Sequence, residues 1–156
     1  MHIMPAMAEA APLTIRSMER SDLDAVMAIE QASFPVPWKR EHFLQEIHSH
    51  LSFPFVALCE GALVGYVCPM SLFEEAQIMD IAVAPEARGR GVASLLLEQA
   101  IALSRQRGAE RLVLEVRASN LAAIGLYERF GFLRYAVRKG YYEGKEDALL
   151  MEKELV

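Results

Sequence analysis

The spacing of apolar positions divides the chain into alternating helices and strands. A period close to 3.6 residues predicts amphipathic helices over 23–34 and from about 91 to 107. Two more helices are predicted over about 40–48 and from about 120 to 129. Short runs rich in β-branched and aromatic residues predict strands, because such residues fit a pleated sheet. These runs are "LTIRSM", "FPFVALCE", "ALVGYVCPM", "EAQIMDIAVA", "ERLVLEVRA", "FLRYAVR" and "DALLMEKEL".

Turn residues set the limits of these elements. Ser21, followed by Asp24, fits a capping box and predicts that the first helix starts at residue 21. The prolines of "FPVPW" end that helix, because proline removes a backbone donor. Glu60 and Gly61 predict a tight hairpin, and Gly108 predicts the end of the long helix. The segment "KGYYEGKE" predicts a loop between the last two strands.

The resulting order, β-α-α-β-β-β-α-β-α-β-β, predicts an α/β fold with one mixed sheet. Antiparallel hairpins and one β-α-β crossover imply a mostly antiparallel sheet with helices on both faces. At 156 residues the chain is expected to form one domain, residues 13–156. Residues 1–12 contain no Lys or Arg and no long apolar run, so a flexible tail is predicted there rather than a signal peptide.

Composition excludes several classes of partner. A net charge of −5 argues against nucleic-acid binding through a basic surface. No apolar run reaches the roughly 18 residues of a membrane span, so no membrane contact is predicted. Cys59 and Cys68 lie in apolar runs, which favours two reduced thiols in a cytoplasmic protein over a disulfide. His48 and His50 have no third ligand at metal spacing, so no metal site is predicted.

The stretch "RGRGVASLLL", which begins at Arg88, has the composition of an anion site. Gly89 and Gly91 alternate with Arg88 and Arg90 directly before the long helix. A helix N-terminus presents unpaired N–H groups and a partial positive charge, and phosphate oxygens satisfy both. The glycines would let the backbone approach the ligand, and Arg88 and Arg90 would add charge. By itself the pattern also fits an ordinary surface turn with solvated arginines.

The surrounding residues, "IAVAPEARGRGVASLLLEQAI" (81–101), resemble the acetyl-CoA motif of the GNAT acetyltransferases. Arg88, Gly91 and Ala93 match that family's loop pattern Gln/Arg-x-x-Gly-x-Gly/Ala. The resemblance extends from about residue 13 to the end of the chain and implies a GNAT-like fold. It also implies acetyl-CoA as co-substrate, with its pantetheine arm on the backbone of Ile81, Ala82 and Val83. The pyrophosphate is then expected on Arg88, Gly89, Arg90, Gly91, Val92, Ala93 and Ser94.

Acetyl transfer to an amine needs a proton acceptor for the amine and a proton donor for the departing thiolate. Glu115 interrupts the apolar strand of "LVLEVRASN" and is a candidate base. Tyr127, in "LYERFGF", carries a phenol that could serve as the acid. Spacing alone leaves two alternatives open: Glu115 could face water beside Arg117, and Tyr127 could be a core tyrosine with an internal hydrogen bond.

A longer match makes these assignments more specific. "LEVRASNLAAIGLYERFGF", together with "YYEGKEDALLM", is similar to the RimI-type protein N-terminal acetyltransferases. That resemblance implies Glu115 as the base, Tyr127 as the acid, and Asn120 and Tyr127 as contacts of the cofactor. It further implies a protein N-terminus as acceptor, with the N-terminal alanine of small-subunit ribosomal protein number eighteen as the expected target.

Two loops are expected to hold the acceptor peptide. They are "FPVPWK", with Phe34 and Trp38, and "GYYEGKED", with Tyr141 and Tyr142. Packing between the first two helices is the alternative for Phe34 and Trp38. For the whole protein, the alternatives are a lysine or small-amine acetyltransferase and a non-catalytic CoA-binding module. A monomer or weak dimer is expected.

Overall fold

A computed structural model describes residues 12–156, and the strands in this part of the chain form one seven-stranded sheet. The strand order is β1-β2-β3-β4-β5-β7-β6, with β4 and β5 parallel and every other neighbouring pair antiparallel. The predicted order of elements and the mixed sheet are confirmed. The predicted tail lies, apart from Pro12, outside the described residues. The strands are β1 Leu13–Ser17, β2 Phe55–Cys59, β3 Ala62–Leu72, β4 Glu75–Val83, β5 Arg111–Arg117, β6 Leu133–Tyr142 and β7 Glu146–Glu154.

Helices cover both faces of the sheet, as predicted. They are α1 Leu23–Ser33, α2 Arg40–His48, α3 Val92–Gln106 and α4 Leu121–Arg129. α3 forms the crossover between the parallel strands β4 and β5. Among residues 12–156, no helix is long and apolar enough to cross a membrane. Cys59 and Cys68 are free thiols.

Two neighbouring residues of β3 show how the faces are divided. Tyr66 points towards α1 and α2: its hydroxyl donates to Glu30, and its ring meets Phe43 edge-on at 5.6 Å. Gly65 points the other way, where an added Cβ would lie 3.0 Å from the Val92 side chain of α3. The missing side chain of Gly65 therefore lets the first turn of α3 lie directly against the sheet.

The predicted start of the first helix is wrong by a short distance. α1 begins at Leu23, after a 3-10 turn that contains Ser21. The capping box instead joins Glu19 and Asp22 across the 3-10 turn, where the Asp22 carboxylate accepts the backbone N–H of Glu19 at 2.7 Å. The same carboxylate receives two hydrogen bonds from Arg16 of β1, both 2.8 Å long. A contact with the neighbouring strand thus selects which residue caps the helix.

The last two strands form a longer hairpin than the sequence predicts. β6 continues to Tyr142 and β7 begins at Glu146, so most of the predicted loop "KGYYEGKE" is strand and the turn is confined to 143–145. β7 lies between β5 and β6 and pairs with both. Its end is anchored by a hydrogen bond of 2.8 Å from the Leu155 N–H to the Glu110 carbonyl.

The parallel strands β4 and β5 stay together for only part of their length. Their pairing runs from Glu75 with Arg111 to Ile78 with Leu114 and then stops. Immediately beyond, the register between β3 and β4 shifts, which leaves Met79 as an extra residue in β4. A bulge of this kind bends a strand and increases its twist. Residues 80–83 therefore pair with β3 on one side and border an open cleft on the other.

Candidate active site

The cleft between the separated strands has a volume of about 690 Å³. Its walls come from the end of α1, the free part of β4, the loop and first turn of α3, and α4. Most residues that the acetyl-CoA resemblance named lie in this one cavity. The lining consists of Ser33, Phe34, Ile81, Ala82, Val83, Ala87, Arg88, Gly89, Gly91, Val92, Ala93, Ser94, Asn120, Ala122, Ala123, Leu126, Tyr127 and Arg129.

The glycine loop presents a row of backbone donors to the cleft. Gly89 and Gly91 have φ values of +79° and +82°, which favour glycine strongly. The first backbone bond of α3 runs from Leu95 N–H to the Gly91 carbonyl at 3.0 Å. The N–H groups of residues 89–94 donate to no acceptor within the described chain. Orphan donors at a helix N-terminus are the ordinary binding site of a phosphate group.

Two arginines add positive charge to the lining. Arg88 stands at the loop, where its Nε donates to the Val83 carbonyl at 3.3 Å. Arg129, at the end of α4, was not predicted. The sequence could have indicated Arg129, because it follows Tyr127 by two residues on a helix already assigned to the site. Arg90, which was predicted to contact the cofactor, is not among the lining residues.

Tyr127 occupies the inner part of the cleft. Its side chain is 6% exposed, and its ring packs against Phe132 with centroids 5.8 Å apart. Burial, together with the charge of Asp80, raises the pKa of Tyr127 well above its ordinary value, so the phenol stays protonated at neutral pH. Its hydroxyl has no hydrogen-bond partner among residues 12–156, which leaves the proton available to a bound substrate.

Asn120 begins the helix that carries Tyr127. Its Oδ1 accepts the N–H of Ala123 at 3.2 Å, the expected bond for an N-cap residue. The next lining positions, Ala122 and Ala123, are small and leave room beside the helix end. The predicted cofactor contact at Asn120 is therefore compatible with its second role as a cap.

Glu115 lies on β5 outside the set of residues that line the cleft. Its side chain is 21% exposed, and the nearest cation is that of Arg138 on β6, 3.5 Å away. The alternative placed Glu115 in water beside Arg117, but the cation that Glu115 contacts is that of Arg138. Strand register explains the difference, because Glu115 and Arg138 flank β7 from opposite sides near Leu150.

Arg117, at the end of β5, instead holds the turn between β6 and β7 in place. Its guanidinium donates to Glu143 at 3.1 Å and to Glu146 at 3.2 Å, and it lies 4.1 Å above the ring of Tyr142. Glu146 also accepts the Ser119 N–H at 2.8 Å, and this bond holds the pKa of Glu146 below its usual range. These contacts, made by Arg117, Ser119, Tyr142, Glu143 and Glu146, form the hairpin clamp.

The predicted peptide-binding aromatics do not all reach the cleft. Phe34, the residue after α1, lines it. Trp38 stacks on His42 at 4.5 Å, in agreement with the packing alternative. Tyr141 and Tyr142 meet edge-on at 5.1 Å and lie outside the lining. 

Tyr142 nevertheless interacts electrostatically with both candidate catalytic residues, Glu115 and Tyr127. Burial raises its pKa, and the charge of Glu115 adds to that rise. Tyr142 in turn contributes to the raised pKa of Tyr127. Glu115 and Tyr127 are therefore each within electrostatic range of Tyr142. Across residues 12–156, no cluster of three or more His, Cys, Asp or Glu side chains has the arrangement of a metal site.

Comparison with known proteins agrees with this geometry. Residues 23–132 match the model of the acetyltransferase (GNAT) family. The chain is 37% identical over 142 residues to the [ribosomal protein bS18]-alanine N-acetyltransferase of Escherichia coli K12, covering 88% of this chain and 95% of that one. It is 33% identical over 155 residues to an N-alpha-acetyltransferase of Saccharolobus solfataricus, covering 91% and 93%.

A solved structure extends the agreement to three dimensions. The crystal structure of the ribosomal-protein-S18-alanine N-acetyltransferase from Escherichia coli matches with a TM-score of 0.86 at 35% identity, covering 92% of this chain and 94% of that one. The fold and the cleft define an acyltransferase that uses acetyl-CoA. The chain belongs to the acetyltransferase (GNAT) family, as the resemblance of residues 81–101 predicted.

The orphan amides give a direct test of the cofactor loop. Gly91→Val should abolish most of the thermal stabilisation by CoA, because a side chain at this position blocks the approach of the phosphates. Gly108→Val is the matched control, since Gly108 has a φ of +89° and, like Gly91, open space around an added Cβ. Both variants carry the same backbone strain, so only Gly91→Val should lose binding. Equal CoA-induced shifts in melting temperature for both would exclude residues 89–94 as the phosphate site.

Proposed function

We propose that this protein transfers the acetyl group of acetyl-CoA to the α-amine of a protein. The proposed acceptor is the N-terminal alanine of ribosomal protein bS18, which places the reaction in the cytoplasm. The observation that carries the proposal is the shared cleft, where the orphan amides of residues 89–94 and the Tyr127 phenol meet. The name of the Escherichia coli relative supports the choice of acceptor.

An α-amine suits the groups available here. Its pKa is about 8, compared with about 10.4 for lysine, so a carboxylate near neutral pH can deprotonate it more readily. The proposed base is Glu115, the carboxylate with the largest electrostatic effect on Tyr142. Because Glu115 does not line the cleft, the proton would pass from the amine to Glu115 through a water molecule.

Tyr127 is the proposed acid. When the amine attacks the thioester carbonyl, the carbon–sulfur bond breaks and a thiolate leaves with the electron pair. The protonated phenol of Tyr127 would donate its proton to that sulfur. Burial of the ring supports this role, because it keeps the hydroxyl protonated and excludes competing water.

The acceptor peptide would lie between two walls. One wall is the end of α1 with Phe34, and the other is the hairpin of β6 and β7 held by the hairpin clamp. Tyr142 of this hairpin is within electrostatic range of Glu115, where the amine would lose its proton.

Acceptor class is testable with matched peptides. The purified protein should release free thiol from acetyl-CoA with an alanine-led peptide, and mass spectrometry should place the acetyl group on the α-amine. The same peptide with a blocked N-terminus and an internal lysine should react far more slowly, and so should a small amine. Acetylation confined to the lysine or to the small amine would contradict the proposal.

Glu115→Gln should reduce kcat/KM by about 10²–10⁴, the usual contribution of one general base, and should flatten the acidic limb of its pH profile. Glu152→Gln is the control, since Glu152 is also a half-buried sheet residue beside an arginine, Arg111 at 3.8 Å. Arg138→Gln removes the ion pair but keeps the Glu115 carboxylate, so it separates the loss of the ion pair from the loss of the proposed base. If Arg138→Gln and Glu115→Gln lower the rate equally, or if Glu115→Gln keeps the wild-type rate at neutral pH, Glu115 is not the base.

Tyr127→Phe should lower kcat while the KM for acetyl-CoA stays nearly unchanged, because the substitution removes one proton donor and little surface. The double variant with Glu115→Gln should lose less than the product of the two single losses, since both groups act in one reaction. Tyr135→Phe, at a half-exposed tyrosine of β6, controls for the loss of a hydroxyl. A kcat for Tyr127→Phe equal to that of Tyr135→Phe would remove Tyr127 from the mechanism.

A further inference from the structure

Two acidic side chains are buried together between α1 and the sheet, beneath the cleft. Glu30 of α1 is 2% exposed and Asp80 of β4 is 9% exposed. The Glu30 carboxyl is close enough to Asp80 to raise the pKa of Asp80, second only to burial as a cause. Two ionised carboxylates in contact repel strongly in a buried site, so one of them must hold a proton.

The surroundings supply donors to Glu30 but leave Asp80 short of one. The Tyr66 hydroxyl donates to Glu30 Oε1 at 2.5 Å, and the Trp38 N–H donates to Oε2 at 2.9 Å. The Asp80 carboxyl receives the N–H of Ile81, while its Oδ2 finds no partner among residues 12–156. A proton on Asp80 converts this oxygen into a donor towards Glu30 and removes the unsatisfied buried group.

The other titratable groups around the pair provide no positive charge. Cys68 on β3 is within electrostatic range of both members of the pair, and Glu46 on α2 is within range of Cys68. Tyr127 of α4 is within range of Asp80. Burial and the neighbouring Glu30 carboxyl raise the pKa of Asp80 to about 10. With no cation among these neighbours, a proton is the means of neutralising one carboxylate.

We infer that Asp80 and Glu30 share one proton, and that this buried acid pair positions the cleft wall formed by the end of α1 and residues 34–38. Asp80 directly precedes Ile81, the first cleft-lining residue of β4. Glu30 accepts the N–H of Trp38, the residue that closes the loop carrying Phe34. The pair thus connects the strand proposed to bind the cofactor with the wall proposed to bind the peptide, and in that respect the inference rests on the proposed function.

The shared proton has a measurable effect on unfolding. In the unfolded chain both carboxyl groups are ionised above about pH 5.5, whereas the folded protein keeps one proton up to about pH 10. The folded state therefore binds one more proton than the unfolded state between these limits. The stability that the shared proton contributes is complete below the pKa of Asp80 in the unfolded chain. It falls as the pH rises towards the pKa of Asp80 in the folded protein.

The first experiment compares the wild type with Asp80→Asn by denaturant unfolding between about pH 6 and 8.5. The amide of Asn can donate to Glu30 and accept from Ile81 without any proton uptake. The unfolding constant of the wild type, divided by that of Asp80→Asn, should rise about tenfold per pH unit. A ratio that does not change with pH would overturn the shared proton. All histidines are retained in both proteins, so their titration cancels.

The second experiment tests the positioning of the wall. The chain has one tryptophan, Trp38, so its fluorescence reports directly on this loop. Glu30→Gln removes an acceptor oxygen and should shift the Trp38 emission. It should raise the peptide KM about tenfold, the effect of losing one hydrogen bond to a charged group, with the acetyl-CoA KM nearly unchanged. Asp80→Asn, which keeps Glu30 intact, should leave the emission and both KM values close to wild type.

Unchanged emission and peptide KM in Glu30→Gln, or an equal rise in peptide KM in Asp80→Asn, would overturn the positioning role. If Glu30→Gln does not fold, Tyr66→Phe supplies the comparison, because it removes one of the donors that hold Glu30. Unfolding and fluorescence need no turnover. Failure of the alanine-led peptide as an acceptor would therefore count against the proposed function alone, while a pH-independent unfolding ratio would count against the acid pair alone.

Discussion

The separation of β4 from β5 after four paired residues is the constraint on which the site depends. Had the ladder continued, the backbone of residues 79–83 would be occupied by β5 and no cleft would exist. The bulge at Met79 coincides with the separation and bends β4 away at that point. The crossover helix α3 begins just beyond the carboxyl end of β4, so its orphan amides face the opening. Ligands commonly bind in this position relative to parallel strands.

The two walls of the proposed peptide path are held by different physical means. The wall at the end of α1 depends on buried hydrogen bonds to Glu30, where salt has little access. The opposite wall depends on the hairpin clamp, whose guanidinium and carboxylates are partly exposed. Contacts of the second kind weaken as ionic strength rises. Rising ionic strength is therefore expected to loosen the hairpin more than the end of α1.

Local sequence was sufficient for the parts of the site that lie within one segment. Residues 81–94 form a strand end, a turn and a helix start in direct succession, so their order alone predicts their proximity. The partner of Glu115 could not be predicted in this way, since it depends on the register of β6 across β7 and on the bulge at Tyr135. Likewise, two overlapping capping patterns begin at Glu19 and Ser21, and only the contact with Arg16 of β1 decides between them.

The position of β7 has a consequence for how the protein is made. β7 is the last strand in the chain, yet it is inserted between β5 and β6. Until residues 146–154 have left the ribosome, β5 has a free edge and β6 has no neighbour to join. An open edge on an apolar strand invites pairing with other chains. The interval between synthesis of β5 and synthesis of β7 is therefore the period in which the nascent protein most needs protection from aggregation.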